Sequence, residues 1–165
     1  MAGSVADRAA RVHEVLAARQ QTVAVAESLT GGLVAAALTR TPGASATFRG
    51  GLVVYATDLK ASLGGVSEPL LRRVGAVDAQ VALELARGAR SRLAATWGIG
   101  VTGVAGPEPQ DGQPVGTVFV ALVGPRDAGE TVSELRLAGD RNSIREQAVE
   151  HAVALLLNVA ESASI

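Results

Sequence analysis

The sequence has no cysteine and only two histidines, His13 and His151. The missing thiols exclude disulfide bonds, thiolate zinc sites and iron–sulfur clusters. Two histidines so far apart in the chain do not suggest a metal centre. We therefore expect a domain that folds and works without a metal ion.

An excess of charge of either sign is also absent, because 15 basic residues nearly balance 16 acidic ones. Without a basic surface, the chain is not expected to bind nucleic-acid phosphates. No apolar run approaches the length of a membrane span, and the first residues lack a secretory pattern. These absences predict a cytoplasmic protein with no nucleic-acid or membrane partner.

Lysine is nearly absent as well, since 14 of the 15 basic residues are arginine and Lys60 is the one lysine. The single tyrosine of the chain, Tyr55, lies five residues before it. In a chain rich in alanine, glycine and arginine, a retained lysine suggests the need for an amine that can lose its proton, which arginine cannot supply. Chance retention on the surface is the alternative explanation.

The length of 165 residues predicts one domain spanning residues 1–165, in which helices and apolar strands alternate. Helices are expected over residues 5–20, 33–39, 57–63 and 143–160. A further short helix is expected after residue 63, followed by a long helix that has Asp78 as its N-cap and runs to about Ala95. Strands are expected over residues 22–26, 51–55, 97–102, 117–123 and 131–137. The last two strands are joined by a short turn typical of an antiparallel hairpin. This order predicts an α/β fold with helices on both faces of a mostly parallel sheet.

Three polar loops follow predicted strands of this sheet. Ser28 follows the first strand, and Tyr55 and Lys60 follow the second. Thr102 lies at the end of the third. Because strand–helix–strand units are normally right-handed parallel crossovers, the carboxyl ends of these strands share one edge, where open α/β folds bind ligands. We therefore expect the three loops to converge.

The loop that starts at Ser28 ends in Thr30-Gly31-Gly32, directly before a helix. Two glycines weaken a first helical turn, but they expose backbone N–H groups that can hold a phosphate, a carboxylate or an oxyanion. Thr30, Gly31 and Gly32 are therefore candidate substrate-binding residues. The pattern is neither a P-loop nor a dinucleotide-binding fingerprint. The alternative is that Ser28 is only the N-cap of the helix.

Lys60 occupies the third helical position if Thr57 caps its short helix. A cation there opposes the helix dipole, and partial burial lowers the pKa of an amine in the same direction. A lysine of this kind can be the general base of a Ser–Lys pair. The alternative is a solvated lysine whose ammonium extends into water.

The third loop supplies the Thr102 hydroxyl and two closely spaced glycines, Gly103 and Gly106. It is typical either of a tight turn or of a cradle for the phosphate or ribose of a nucleotide. Arg141, at the start of the last helix, is a candidate for a charge-assisted bond to phosphate, and Arg145 one turn later is an equal candidate.

Several short motifs occur in a fixed order over nearly the whole chain. They are Ala26–Gly32, Pro42–Ser45, Gly51–Tyr55 with Lys60, Gly75–Val77, Val101–Pro107, Pro114–Val118 and Gly139–Arg141. As a set they resemble the CinA C-terminal domain family, which includes the bacterial nicotinamide-nucleotide amidohydrolases.

The resemblance implies a three-layer α/β/α sandwich with a mixed, mostly parallel five-stranded sheet, commonly as a homodimer. It also implies a cofactor-free reaction in which nicotinamide mononucleotide (NMN) and water give nicotinic acid mononucleotide and ammonia. The family nucleophile and its base match Ser28 and Lys60. Tyr55 and Thr102 match positions that assist the dyad or the amide, and Arg141 matches a substrate-binding residue.

One loop departs from the family. Residues 108–112 include two carboxylates, Glu108 and Asp111, where many members have glycines or small polar residues. Carboxylates fit poorly beside a phosphate. Two other functions therefore stay open, a nucleotide-binding or regulatory domain without turnover and an amidase of another small carboxamide. Many relatives carry an N-terminal nucleotide-pyrophosphatase domain, for which this chain is expected to be too short.

Overall fold

The structure is a computed structural model and describes residues 3–163. Its strands are β1 (Val23–Glu27), β2 (Phe48–Val53), β3 (Trp97–Gly103), β4 (Thr117–Val123) and β5 (Glu130–Arg136). They form one sheet in the order β2-β1-β3-β4-β5. β1 is parallel to both β2 and β3, whereas β4 is antiparallel to β3 and β5. Four of these strands therefore run in one direction, which confirms the predicted mixed, mostly parallel sheet and the β4–β5 hairpin.

The helices are α1 (Val5–Ala18), α2 (Leu33–Thr39), α3 (Thr57–Ser62), α4 (Glu68–Val74), α5 (Ala79–Arg92) and α6 (Arg141–Ser162). Asp78 caps α5 as predicted, because its side chain accepts a hydrogen bond from the N–H of Gln80. α6 begins two residues earlier than predicted, because Asp140 rather than a later residue is its N-cap. Within residues 3–163, no helix combines the length and the apolar character that crossing a bilayer requires.

β2 begins three residues before its predicted start and ends two residues before its predicted end. Its two middle residues are Gly50 and Gly51, which have low intrinsic strand preference. The strand forms there because it is hydrogen-bonded along β1, with Gly50 opposite Ala24 and Gly51 opposite Val25. Tertiary pairing thus overrides the local preference of the glycines.

The central strand β1 shows how the three layers pack. All of its residues are buried, and their side chains alternate between the two faces. Val23 and Val25 pack in the apolar cluster formed with α1, α2 and α6. Ala24 and Ala26 pack on the opposite face against α4 and α5. The sheet is therefore covered on both sides, which confirms the predicted three-layer α/β/α sandwich.

α5 lies very close to the sheet because β3 presents glycines to it. A Cβ atom at Gly98 would lie 2.0 Å from the carbonyl oxygen of Ala86, and one at Gly100 would lie 2.1 Å from that of Ala82. Neither position can hold a larger residue unless the helix moves away. This contact fixes β3, and with it the loop that follows its carboxyl end.

The carboxyl ends of the three parallel strands meet at one edge of the sheet. Glu27, the last residue of β1, is paired with Val53 of β2 and with Val101 of β3. The segments that leave these ends carry the serine, the lysine and the threonine singled out from the sequence. The predicted convergence of the three loops is confirmed.

Candidate active site

Ser28 and Lys60 lie in direct contact. Ser28 directly follows β1, and its N–H donates to the carbonyl oxygen of Val101 at 3.0 Å, which holds its backbone against β3. The Nζ atom of Lys60 lies 2.9 Å from Ser28 Oγ. Both side chains are buried, and Lys60 is only 1 % exposed. The alternative of a solvated surface lysine is therefore wrong.

The surroundings of Lys60 determine its protonation. Its Nζ also donates to the carbonyl oxygens of Val54, at 2.9 Å, and Tyr55, at 3.1 Å. Burial lowers the pKa of Lys60 from the ordinary 10.5 to about 8, although the negative charge of Asp111 opposes the shift. The amine can thus exchange a proton near neutral pH.

The position of Lys60 within α3 differs from the prediction. The N-cap of α3 is Ala56, not Thr57, and no side chain caps the helix. Lys60 is consequently the fourth helical residue and falls in the last turn, where a helix dipole does not oppose a cation. Burial, the second cause named from the sequence, lowers the pKa of Lys60 instead.

A buried glutamate shapes the loop that carries Ser28. Glu27 is fully buried, and its Oε1 accepts hydrogen bonds from Thr30 Oγ1 at 2.6 Å and from the N–H of Val34 at 3.1 Å. Its Oε2 accepts from the N–H of Ala35 at 3.0 Å. Glu27 therefore caps α2 from outside the helix, and Ser28 is not the cap. Glu27 was not among the residues singled out from the sequence, although an acidic residue at the end of an apolar strand, just before a helix that starts after Gly-Gly, indicates such a cap.

The two glycines make the tight reversal that this capping requires. Gly31 and Gly32 have φ angles of +59° and +103°, in the left-handed region that favours glycine. The N–H of Gly31 donates to the carbonyl oxygen of Ser28 at 3.0 Å, and the Thr30 hydroxyl is held by Glu27. Within residues 3–163, the N–H groups of Leu29, Thr30 and Gly32 have no hydrogen-bond partner. A substrate-binding role for the Thr30–Gly32 backbone stays a prediction. Of the three N–H groups, that of Gly31 is already hydrogen-bonded within the protein.

Two arginines at the start of α6 have different partners. Arg141 donates through Nη2 to the phenol oxygen of Tyr55 at 2.7 Å, and through Nη1 to the carbonyl oxygen of Gly106. Arg145 donates through Nε to the carbonyl oxygen of Leu29 at 2.9 Å, and through Nη2 to that of Thr30 at 3.4 Å. Arg145 thus braces the loop that follows Ser28, whereas Arg141 stands beside Tyr55 at the surface.

The Thr102 hydroxyl is engaged within the protein. Thr102 is 1 % exposed and donates to the carbonyl oxygen of Ala76 at 2.7 Å. The N–H of Ala76 in turn donates to Asp111 Oδ2 at 2.8 Å. Thr102 therefore links the end of β3 to two loops. The Asp111 carboxylate, which the sequence analysis had placed near a phosphate, is instead used to hold the Ala76 backbone.

A cavity of about 90 Å³ opens next to Ser28. Its walls come from all three loops and from α6, and the residues are Ser28, Leu29, Tyr55, Gly103, Val104, Ala105, Gly106, Glu108, Gln110 and Arg141. Of the residues that the sequence suggested for the site, Gly103, Gly106 and Arg141 line this cavity, whereas Thr102 and the Thr30–Gly32 segment do not. Among the described residues, no group of three or more His, Asp or Glu side chains could hold a metal ion.

Comparisons with known proteins agree with the resemblance seen in the motifs. The CinA C-terminal domain family matches residues 5–160. A CinA-like protein of Frankia casuarinae is 54 % identical over 142 residues, which cover 86 % of this chain and 32 % of that protein. A CinA-like protein of Anaeromyxobacter sp. is 51 % identical over 144 residues, covering 86 % of this chain and 34 % of the relative. The chain spans about a third of the length of these curated relatives.

Solved structures show the same fold. The competence/damage inducible protein CihA from Agrobacterium tumefaciens superposes with a TM-score of 0.90 at 35 % identity, over 96 % of this chain and 97 % of that one. A competence-damaged protein (CinA) superfamily protein from Klebsiella pneumoniae gives a TM-score of 0.91 at 30 % identity, over 97 % and 99 % of the two chains. Sequence, fold and motif order agree over nearly the whole length, and this chain belongs to the CinA family, whose C-terminal domain it contains.

Proposed function

We propose that this domain is an amidohydrolase that hydrolyses NMN to nicotinic acid mononucleotide and ammonia, with Ser28 as nucleophile and Lys60 as its base. The observation that carries the proposal is the 2.9 Å contact between Lys60 Nζ and Ser28 Oγ at the wall of a cavity. The substrate class comes from the CinA resemblance. A serine beside a buried lysine is a recognised alternative to the Ser–His–Asp triad.

The partners of Lys60 make it suited to take a proton from Ser28. The carbonyl oxygens of Val54 and Tyr55 can only accept hydrogen bonds, so each needs an N–H of the amine. A neutral amine has two N–H groups and one lone pair. Once both N–H groups are used on the carbonyls, the lone pair is left for the third neighbour, the Ser28 hydroxyl. The two carbonyls thus orient the base.

The reaction then proceeds in two halves. Neutral Lys60 accepts the Ser28 proton as Oγ attacks the carboxamide carbon, giving a tetrahedral oxyanion. When the C–N bond breaks, the ammonium of Lys60 returns the proton to the leaving nitrogen, and ammonia departs from an acyl-Ser28 ester. Water, deprotonated by Lys60, adds to the ester. Cleavage of the C–O bond releases the acid and restores the Ser28 hydroxyl.

The size and lining of the cavity suggest how the substrate lies. A space of about 90 Å³ is much smaller than a nucleotide, so the carboxamide end enters it and the ribose phosphate lies across the opening. Arg141 borders that opening and is the candidate phosphate ligand. The free N–H group of Leu29, which follows Ser28 directly and belongs to the cavity wall, is the candidate donor to the oxyanion, and such a donor contributes about 3 kcal/mol in comparable sites.

Ammonia release from NMN tests the proposal. Ser28→Ala and Lys60→Arg are each expected to lower kcat by about a thousandfold or more, because one removes the nucleophile and the other keeps the charge without a usable lone pair. Ser45→Ala is the matched control, since Ser45 is an exposed serine outside the cavity. Circular dichroism checks that each variant is folded. Full activity of Lys60→Arg would end the proposal.

The second candidate is a domain that binds the nucleotide without turnover. The observation that favours it is Glu108, a carboxylate in the cavity wall where the family resemblance leads us to expect glycines or small polar residues. It predicts saturable NMN binding by calorimetry with no ammonia released by the wild type. Turnover of another small carboxamide in place of NMN would instead indicate an amidase of different specificity.

A further inference from the structure

Two opposite charges line the cavity without neutralising each other. Arg141 and Glu108 both contribute to its wall. Within residues 3–163, Glu108 makes no ion pair and no hydrogen bond, and the guanidinium of Arg141 is bonded to neutral oxygens of Tyr55 and Gly106. A wall that presents one cation and one anion suits a ligand that also carries both charges.

We infer that Glu108 is a specificity-determining residue that selects a substrate whose ring is cationic, while Arg141 receives the anionic end of the same molecule. This inference rests on the proposed function, because it takes the carboxamide to be held at Ser28. Ser28 and Glu108 line the same cavity of about 90 Å³, and we place the ring between them with its carboxamide at Ser28. A positive charge on that ring is attracted by the carboxylate, and a neutral ring gains nothing from it.

The chemistry of NMN meets both demands. Its pyridinium ring is positively charged and its phosphate is negatively charged. The reduced, dihydropyridine form of NMN has the same carboxamide, ribose and phosphate, but its ring is neutral. A comparison of the two ligands therefore changes the charge of the ring while the carboxamide, ribose and phosphate stay the same.

The experiment measures the Kd of NMN and of reduced NMN by calorimetry. The protein carries Ser28→Ala, which prevents hydrolysis during the measurement, and is compared with and without Glu108→Gln. We expect Glu108→Gln to lower the preference for NMN over reduced NMN by about fivefold, the upper range for a partly exposed ion pair. The same change is expected in the ratio of kcat/KM values in the wild-type background. Glu150→Gln, at an exposed carboxylate of α6 outside the cavity, is the matched control.

Other outcomes overturn the inference in distinguishable ways. Equal weakening of both ligands by Glu108→Gln would mean that the carboxylate binds the ribose hydroxyls. Equal tightening would mean that it repels the phosphate. Ammonia release from NMN by the wild type with an unchanged preference in Glu108→Gln would refute the role of Glu108 alone. Absence of both ammonia release and ligand binding would refute the proposed function together with it.

Discussion

Arg141 and Tyr55, 86 positions apart in the chain, are joined by a hydrogen bond of 2.7 Å from the guanidinium to the phenol oxygen. The bond connects the first residue of α6 to the segment that follows β2. Tyr55 is 56 % exposed, so this link lies at the opening of the cavity rather than in its floor. The carbonyl oxygen of the same tyrosine accepts a hydrogen bond from Lys60. Tyr55 thus connects the candidate phosphate ligand to the candidate base.

Steady-state kinetics are predicted to distinguish the roles of the two arginines, Arg141 and Arg145, at the start of α6. Arg141→Lys is expected to raise the KM for NMN about tenfold with a smaller change in kcat, because lysine cannot make the two-pronged contact of a guanidinium. The preference for NMN over its dephosphorylated riboside, measured as a ratio of kcat/KM values, should fall by a similar factor. Steady-state ammonia release with both substrates checks this.

Arg145→Lys is the comparison variant for that experiment. Arg145 is bonded to the carbonyl oxygens of Leu29 and Thr30 and does not line the cavity. Its replacement should lower kcat, because the loop that follows Ser28 loses hydrogen bonds that hold it in place. The preference for the phosphorylated substrate should stay unchanged. If Arg145→Lys rather than Arg141→Lys loses the preference, the assignment of the phosphate ligand is wrong.

The rate of hydrolysis is predicted to rise with pH through the pKa of Lys60. Burial lowers that pKa to about 8, and the base is the neutral form, which accumulates as pH increases. kcat/KM for NMN should therefore increase from pH 6.5 and level off above about pH 9. The full pH profile of ammonia release by the wild type is the measurement.

Asp111→Asn refines this prediction. The negative charge of Asp111 raises the pKa of Lys60, against the larger effect of burial. Its removal should move the rising limb of the profile to lower pH, whereas Asp58→Asn, at an exposed residue of α3, should leave the limb in place. A rate that falls or stays constant between pH 6.5 and pH 9 would contradict the role given to the amine.

The buried Glu27 is predicted to be a large contributor to stability. Glu27→Gln should lower the free energy of unfolding by about 2 kcal/mol, because an amide retains one acceptor oxygen where the carboxylate serves three donors with two. Glu27→Ala should cost more, since it leaves the buried donors without an acceptor. Urea unfolding followed by circular dichroism measures both.

Glu14→Gln provides the control for Glu27. Glu14 is an exposed carboxylate of α1 that pairs with Arg11 at 3.0 Å. Exposed pairs of this kind contribute at most about 1 kcal/mol and often nothing measurable. Equal effects of Glu27→Gln and Glu14→Gln would show that the capping of α2 does not stabilise the domain.

The convergence of the loops could be predicted because it depends on features that repeat along the chain. Alternating strands and helices fix the direction of the parallel strands, and direction fixes which edge their ends share. Lys60 could be singled out because composition made it unusual. Neither inference required knowing which side chains touch.

The individual contacts around the site could not be predicted, because they join residues that are far apart in the chain and close only in the folded structure. Sequence rules place a helix cap next to the first turn, but Glu27 caps α2 from seven residues before Val34. The partner of Thr102, the carbonyl oxygen of Ala76, is 26 residues away. The predicted N-cap of α3 was wrong for a related reason. Thr57 was chosen because threonine is a common N-cap residue, but the N-cap is Ala56.

The rarity of lysine has a practical consequence for following the reaction. Lys60 is the single lysine of the chain, and its amine is enclosed by Ser28 and two carbonyl oxygens. Protein grown with lysine enriched in nitrogen-15 at the side chain therefore yields one amine resonance, and that resonance belongs to Nζ of Lys60, the proposed base. The spectrum of the unaltered protein reports when that nitrogen is charged, without a reporter group or a substitution in the site.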